Sequence, residues 1–270
     1  MATAAGYDER GAGRIRASMR HILVTNDDGY FSEGIRVLAA ALAPLGHVTI
    51  VAPHNEASAV GHALTLRRPL RIEQIETAVY SVDGTPTDCV NLGIDVVLRR
   101  VPDLIVSGIN KGLNIGDDVT YSGTVAGALE GALLGHQAIA VSLDAGGGPW
   151  HFEPAAAVAA AIAAQVLMHP LPPRTFLNVN VPSGAPRGVR VTVQATRNHV
   201  TKIDERVDPR GRAYYWIEEA EDSWQARDRS DYQAIREGYV SVTPLQPDLT
   251  DHANLAWTQF LTDAMAGGIR

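Results

Sequence analysis

Short apolar runs, each closed by a polar turn and followed by residues at helical spacing, recur from residue 22 to residue 181. This alternation restricts the fold more than any other feature of the chain. Ile22–Val24 is stopped by Thr25-Asn26-Asp27-Asp28-Gly29 and reads as a buried strand ending in a turn. Ser32 is the expected N-cap of a helix that has Glu33 in its first turn and Ile35, Leu38 and Leu42 on one face. Pro44 and Gly46 end it. Val48–Val51, halted by Ala52-Pro53, completes a strand–helix–strand unit. Further strands are expected at Leu104–Val106, Ile139–Leu143 and Phe176–Val181, with helices over Thr124–Leu134 and Ala155–Met168. Apolar strands alternating with amphipathic helices imply an α/β fold, a mostly parallel sheet with helices on both faces.

Composition removes several classes. The 270 residues are enough for a full core without disulfides or structural metal. A single cysteine, Cys89, excludes a disulfide scaffold and a cysteine-rich zinc site, and makes a cytoplasmic setting the expectation. It reads as a buried structural thiol on a helix capped by Thr87 or Asp88. The longest apolar run, Ala155–Ala164, is too short to span a bilayer. With 23 Lys+Arg against 30 Asp+Glu, a net charge of −7, the chain lacks the basic footprint of a nucleic-acid-duplex binder. Residues 1–18 have no apolar signal core and read as a flexible tail, with the folded chain starting near Met19.

In an open α/β sheet, ligands bind beyond the carboxyl ends of the strands. Three such ends carry polar groups: Asn26 to Gly29, Ala52 to Gly61, and Ser107-Gly108-Ile109-Asn110. Asp27 and Asp28 are adjacent carboxylates. Their repulsion is relieved if one is protonated or if a hard divalent cation such as Mg²⁺ or Mn²⁺ sits between them. Ser58 and Asn110 would add neutral oxygen ligands to the same cation. The stretch from Lys111-Gly112-Leu113-Asn114 to Ser122-Gly123-Thr124 opens a helix, and its glycines, hydroxyls and first-turn amides suit a phosphate. It is neither a Gly-Lys-Ser/Thr loop nor a G-x-G-x-x-G fingerprint. Taken singly, each feature also has a structural role, the acids as a turn and the Ser and Asn as caps. His54 and His62 flank Ser58, whereas His21, His47 and His136 border strands.

From Lys202 to Glu237, 17 of 36 residues are charged, against 20% overall, around the strand-like Ala213-Tyr214-Tyr215-Trp216-Ile217. That composition fits a projecting hairpin packed on another subunit. The chain therefore divides into a tail (1–18), an α/β catalytic core (19–196), a charged assembly arm (197–237) and a C-terminal strand and helix (238–270) returning to the core or to a partner subunit.

With those residues in view, the chain resembles the SurE family of survival-protein nucleotidases. The resemblance rests on Ile22 to Gly29, Val51-Ala52-Pro53 with Ser58 beyond, and Gly84-Thr85-Pro86-Thr87-Asp88-Cys89-Val90. It continues through Asp103 to Asn110, Tyr121 to Gly131, and Arg236 to Pro244. It implies a Rossmann-like core and a metal-dependent phosphatase acting on nucleoside 5′- and 3′-monophosphates, with short polyphosphate as a further substrate. One divalent cation per subunit, Mg²⁺ or Mn²⁺, is then held by Asp27, Asp28, Ser58 and Asn110. Asp27, Asp28 and Asn110 serve catalysis, and Asn26, Gly108, Asn114, Ser122, Gly123 and Thr124 bind substrate phosphate. The family's C-terminal extension swaps between subunits, so a homodimer or homotetramer is expected. Many relatives carry an acid after Ala-Pro, where this chain has His54. The competing function is a nucleotide-binding regulatory protein without hydrolysis, which would not need the paired acids. An oligomeric scaffold built on the arm is a third.

Overall fold

A computed structural model describes residues 19–144, 146–198, 201–219, 223–224 and 227–265. The expected tail at 1–18 lies outside the described residues. Along the chain come β1 (His21–Thr25), α1 (Glu33–Leu42), β2 (His47–Pro53), β3 (Ile72–Glu76), β4 (Val79–Val82), α2 (Pro86–Leu92) and β5 (Leu104–Lys111). Then follow α3 (Gly123–Leu133), β6 (Ala138–Leu143), α4 (Glu153–Met168), β7 (Phe176–Val181) and β8 (Val189–Val191). The arm holds β9 (Arg197–Asn198), β10 (Thr201–Val207), β11 (Ala213–Glu219) and β12 (Ser223–Trp224). It is followed by α5 (Asp231–Arg236), β13 (Val240–Leu245) and α6 (Gln259–Met265).

One sheet runs in the order β3-β4-β2-β1-β5-β6-β7-β13-β8. From β4 to β7 all neighbours are parallel, while β3 and β13 run antiparallel to β4 and β7. The strands are apolar on both faces because both are covered. Ile22 and Val24 pack with Ile35, Leu38, Leu42 and Phe152 beneath α1 and α4. Leu23, between them, meets Cys89, Val90, Val125 and Ala128 beneath α2 and α3. The chain leaves β1 to one side toward β2 and later returns to its other side as β5. That reversal opens a crevice at the carboxyl ends of β1 and β5.

Local details differ from the sequence expectations. Ser32 occupies the N-cap position of α1, but its Oγ accepts from Asn26 Nδ2 at 2.8 Å instead of capping the helix. Helix α2 is capped by Thr85, which exchanges hydrogen bonds with Asp88, and not by Thr87 or Asp88. The β3–β4 hairpin and the six-residue α5 carry no clear apolar period. Strand β13 is buried at its first four positions, with Val240 and Val242 in the core and Ser241 and Thr243 bonded to the buried Thr192 hydroxyl on the other side. The strand-like aromatic run pairs with β10 as an antiparallel hairpin, with the β9–β12 pair at its base.

Phe152 is 1% exposed and is among the largest side chains sealed between sheet and helices. Phe152→Ala is expected to lower unfolding free energy by about 3–5 kcal/mol, read as a lower urea midpoint at unchanged slope.

Candidate active site

Asn26 shapes the turn after β1. Its Nδ2 donates to the Gly29 carbonyl (3.0 Å) and to Ser32 Oγ (2.8 Å), and its Oδ1 accepts from the Gly29 amide (3.2 Å). Asp27, next along, is 5% exposed. Its carbonyl accepts from the Ala57 amide at 2.8 Å, tying the loop after β2 to the end of β1. Its carboxylate accepts from the Thr124 hydroxyl and the Thr124 amide in the first turn of α3. Burial pushes the Asp27 carboxyl above its ordinary range, and the Thr124 contacts oppose the rise. This packing needs glycine at 123: a Cβ there would lie 2.8 Å from Asp27 Cβ and 2.9 Å from its Oδ2.

Asp28 is half-buried. Burial first, and then the neighbouring Asp27 charge, push its carboxyl up to about 6, against the Lys111 ammonium and amide. Its Oδ2 is buried and has no hydrogen-bond partner among the described residues. Asn110 and Lys111 reach this point from β5, whose pairing with β6 is irregular between Ser107 and Asn110. The irregularity centres on Gly108, at φ +139°, where a Cβ would stand 2.4 Å from the Val141 carbonyl. Asn110 Nδ2 donates to the Gly112 carbonyl at 2.9 Å, which leaves its Oδ1 as the atom to offer a ligand.

The third strand end arrives as the loop after β2. Ser58 is exposed and donates through Oγ to Glu56 Oε1 at 2.7 Å. Glu56 adds negative charge that acts on both Asp27 and Asp28. The loop is pinned by the Gly61 amide on the Tyr121 carbonyl (2.9 Å) and by His62 Nε2 against Glu130 Oε2 (2.7 Å).

Asp27, Asp28, Asn110, Gly123 and Thr124 thus converge on the crevice, and the Ser58 loop is tied to its edge. Three of the expected phosphate contacts are spent inside the protein instead. Asn26 uses its whole side-chain amide on the turn, and Thr124 donates to Asp27. Asn114 is bonded to Ser142 through its side chain and to Asn178 and Asn180 through its backbone. These three position the site. Ser122 caps α3 by accepting from the Val125 amide (3.1 Å), yet its own hydroxyl hydrogen stays free to donate. Cys89 is buried, and burial pushes its thiol well above the ordinary value, in keeping with an inert role.

Glu56 and Lys111 were not singled out from the sequence. Each adjoins or nearly adjoins a neutral donor that was, so the signal lay in charged neighbours of Ser58 and Asn110. The donor set fits a hard divalent cation: two carboxylates, one with an unpartnered buried oxygen, and the neutral oxygens of Ser58 and Asn110. Among the described residues, no three or more His, Cys, Asp or Glu gather as a metal cluster.

The family model described as survival protein SurE matches residues 22–201. A 5′-nucleotidase SurE of Pelobacter propionicus is 53% identical over 238 residues, 87% of this chain and 96% of that one. The one from Geobacter sulfurreducens is 52% identical over 242 residues, covering 88% and 92%. The crystal structure of the SurE protein from Aquifex aeolicus aligns with a TM-score of 0.80 at 45% identity, covering 90% of this chain and all of that one. Sharing about half its residues with relatives along nearly their full lengths, and matched by the family model from β1 into β10, this chain belongs to the SurE family.

Proposed function

We propose that this protein is a metal-dependent phosphomonoesterase that hydrolyses nucleoside 5′-monophosphates, and also 3′-monophosphates and short polyphosphate. The observation that carries the reading is the Asp27–Asp28 pair at the sheet's reversal point, with Asp28 Oδ2 buried and unpartnered. Its relatives named 5′-nucleotidase, about half identical, support the substrate class. One Mg²⁺ or Mn²⁺ held by Asp27, Asp28, Ser58 and Asn110 would supply Lewis-acid charge to a phosphate oxygen and make water a better nucleophile.

The chain's own residues do the rest. Thr124 holds Asp27 in one orientation. The second oxygen of Asp28 is suited to take a proton from the attacking water. The Ser122 hydroxyl and the Gly123 amide, the one first-turn amide not spent on Asp27 or on Ser122, donate to a phosphate oxygen, where the helix dipole adds positive potential. Lys111, beside Asp28, offsets part of the charge on the bound anion.

Assembly is proposed as a homodimer or homotetramer through the β10–β11 hairpin. A two-stranded ribbon is marginal by itself, and this one leaves Tyr215, Trp216 and Ile217 exposed, the last at 76%. No helix among the described residues is long and apolar enough to cross a membrane. A cytoplasmic setting is proposed on the free, buried Cys89.

A phosphate-release panel of nucleoside monophosphates with Mn²⁺ and Mg²⁺ tests the activity. Asp28→Asn is expected to lower kcat/KM at least about hundredfold and to abolish the rise in melting temperature that Mn²⁺ gives the unaltered protein. Absence of phosphate release, together with unchanged Mn²⁺ affinity in Asp28→Asn, would leave a non-hydrolytic nucleotide binder. For the hairpin, Trp216→Glu combined with Ile217→Glu is expected to reduce the sedimentation coefficient to that of a smaller assembly.

A further inference from the structure

A cavity of about 580 Å³ lies at the carboxyl ends of β2 and β4, lined in part by His54, Glu56, Thr65, Arg68, Arg71 and Asp83. Its volume falls in the range of small-molecule sites, about 300–1,000 Å³. It adjoins the acidic pair directly. Ala57, also in its wall, donates its amide to the Asp27 carbonyl at 2.8 Å, and Glu56 accepts from Ser58. Of these walls only Glu56, through its charge and its bond to Ser58, also bears on the site described above.

Two planar groups on the walls are fixed in place. The His54 amide donates to the Val82 carbonyl at 2.7 Å, and its ring Nδ1 lies 3.0 Å from Ser81 Oγ. The Tyr30 ring backs it at 5.9 Å. The Arg68 guanidinium donates to the Pro69 carbonyl (3.2 Å) and to the Asp83 carbonyl, and stands 3.3 Å from Asp83 Oδ2. The Arg71 amide donates to Asp83 Oδ1 at 2.7 Å, so that one carboxylate locks this side of the cavity. On the rim, Thr65 is held through its amide (2.9 Å) and hydroxyl (2.6 Å) by Asp88, the residue that boxes the start of α2. Imidazole and guanidinium planes are the side chains on which heterocyclic bases stack, and a guanidinium held in advance loses little freedom when it does so. A cavity with both, opening from a phosphate-cleaving centre, has the chemistry of a nucleoside pocket.

We infer that this cavity receives the nucleoside half of the substrate, with the base against His54 and Arg68 while the phosphate sits at Asp27 and Asp28. The inference rests on the phosphomonoesterase reading and adds to it the residues that select nucleotides over other phosphomonoesters. Arg68 and His54 are then specificity residues, not catalytic ones.

The test compares AMP, GMP, CMP and UMP with ribose 5-phosphate, which has the sugar and phosphate but no base. Full-length protein with Mn²⁺ is assayed alongside Arg68→Ala, His54→Ala and Asn55→Trp, the last filling the cavity from its wall. The expected result is a fall of tenfold or more, about 1.4 kcal/mol, in the ratio of kcat/KM for nucleotide over ribose 5-phosphate, carried mainly by KM. Adenosine binding, followed by calorimetry, needs no turnover and is expected to weaken by a similar factor in the same variants. A ratio and an adenosine affinity within twofold of the unaltered protein in all three variants would overturn the assignment. Failure of the enzymatic reading looks different: no phosphate from any substrate, with adenosine binding still reporting on the pocket.

Discussion

A carboxylate buried at the end of β1 is held against the first turn of α3, and the rest of the site is arranged around keeping it there. Asp27 at 5% exposure loses most of its hydration, a cost that must be met by hydrogen bonds or opposite charge. The Thr124 hydroxyl and amide and the positive end of α3 meet it in part. They do so only because Gly123 lets the helix come within contact of the aspartate. The remaining deficit shows in Asp28, whose carboxyl is pushed up to about 6 by burial and by its neighbour. Two acids under this strain are a poor structural device. The proposed cation would relieve both, since a divalent charge beside the pair offsets the burial of one carboxylate and the repulsion felt by the other.

A second buried carboxylate joins the phosphate loop to the arm. Asp231 accepts from the amides of Gly116, Ala195 and Tyr232, each at 2.8 Å. Gly116 belongs to the loop that leads into α3, Ala195 to the segment entering the arm, and Tyr232 to α5 after it. Trp224, in the arm's base, stacks on Tyr232 at 4.8 Å between ring centres. The charged arm is therefore not hinged freely on the core. Its base and the loop that precedes Ser122 share one anchor.

The sheet and both helical layers were legible in the sequence because an α/β sheet covered on both faces writes itself as uninterrupted apolar runs such as Ile22–Val24 and Leu104–Val106. The placement of Asp27, Asp28 and Asn110 followed from the same pattern, since strand ends in such a sheet are where ligands bind. What was not legible depended on contacts distant in sequence. That Thr124 faces Asp27, 97 residues away, rather than solvent is set by how close α3 approaches β1. Asn114 looked like a loop residue, but it bonds to Ser142 and Asn180 across the sheet. Strand β3, with Glu73, Gln74 and Glu76 among its five residues, lies at the sheet's edge, where a strand need bury little and carries little apolar signal.

Charge explains how the loop after β2 divides its work. The Glu56 charge adds to that of Asp27 and Asp28 while the Lys111 ammonium beside Asp28 opposes it, so this end of the crevice carries an excess of negative charge before any phosphate arrives. A phosphate dianion entering that field is repelled, and a divalent cation held by Asp27, Asp28, Ser58 and Asn110 would supply the charge that offsets the repulsion. In the neighbouring cavity the charges come closer to balance, with Arg68 and Arg71 standing against the carboxylates of Asp83 and Glu56. On the proposed reading a nucleotide meets a pocket of nearly balanced charge at its base end and a strongly negative one at its phosphate end, with Glu56 on the loop between them contributing to both.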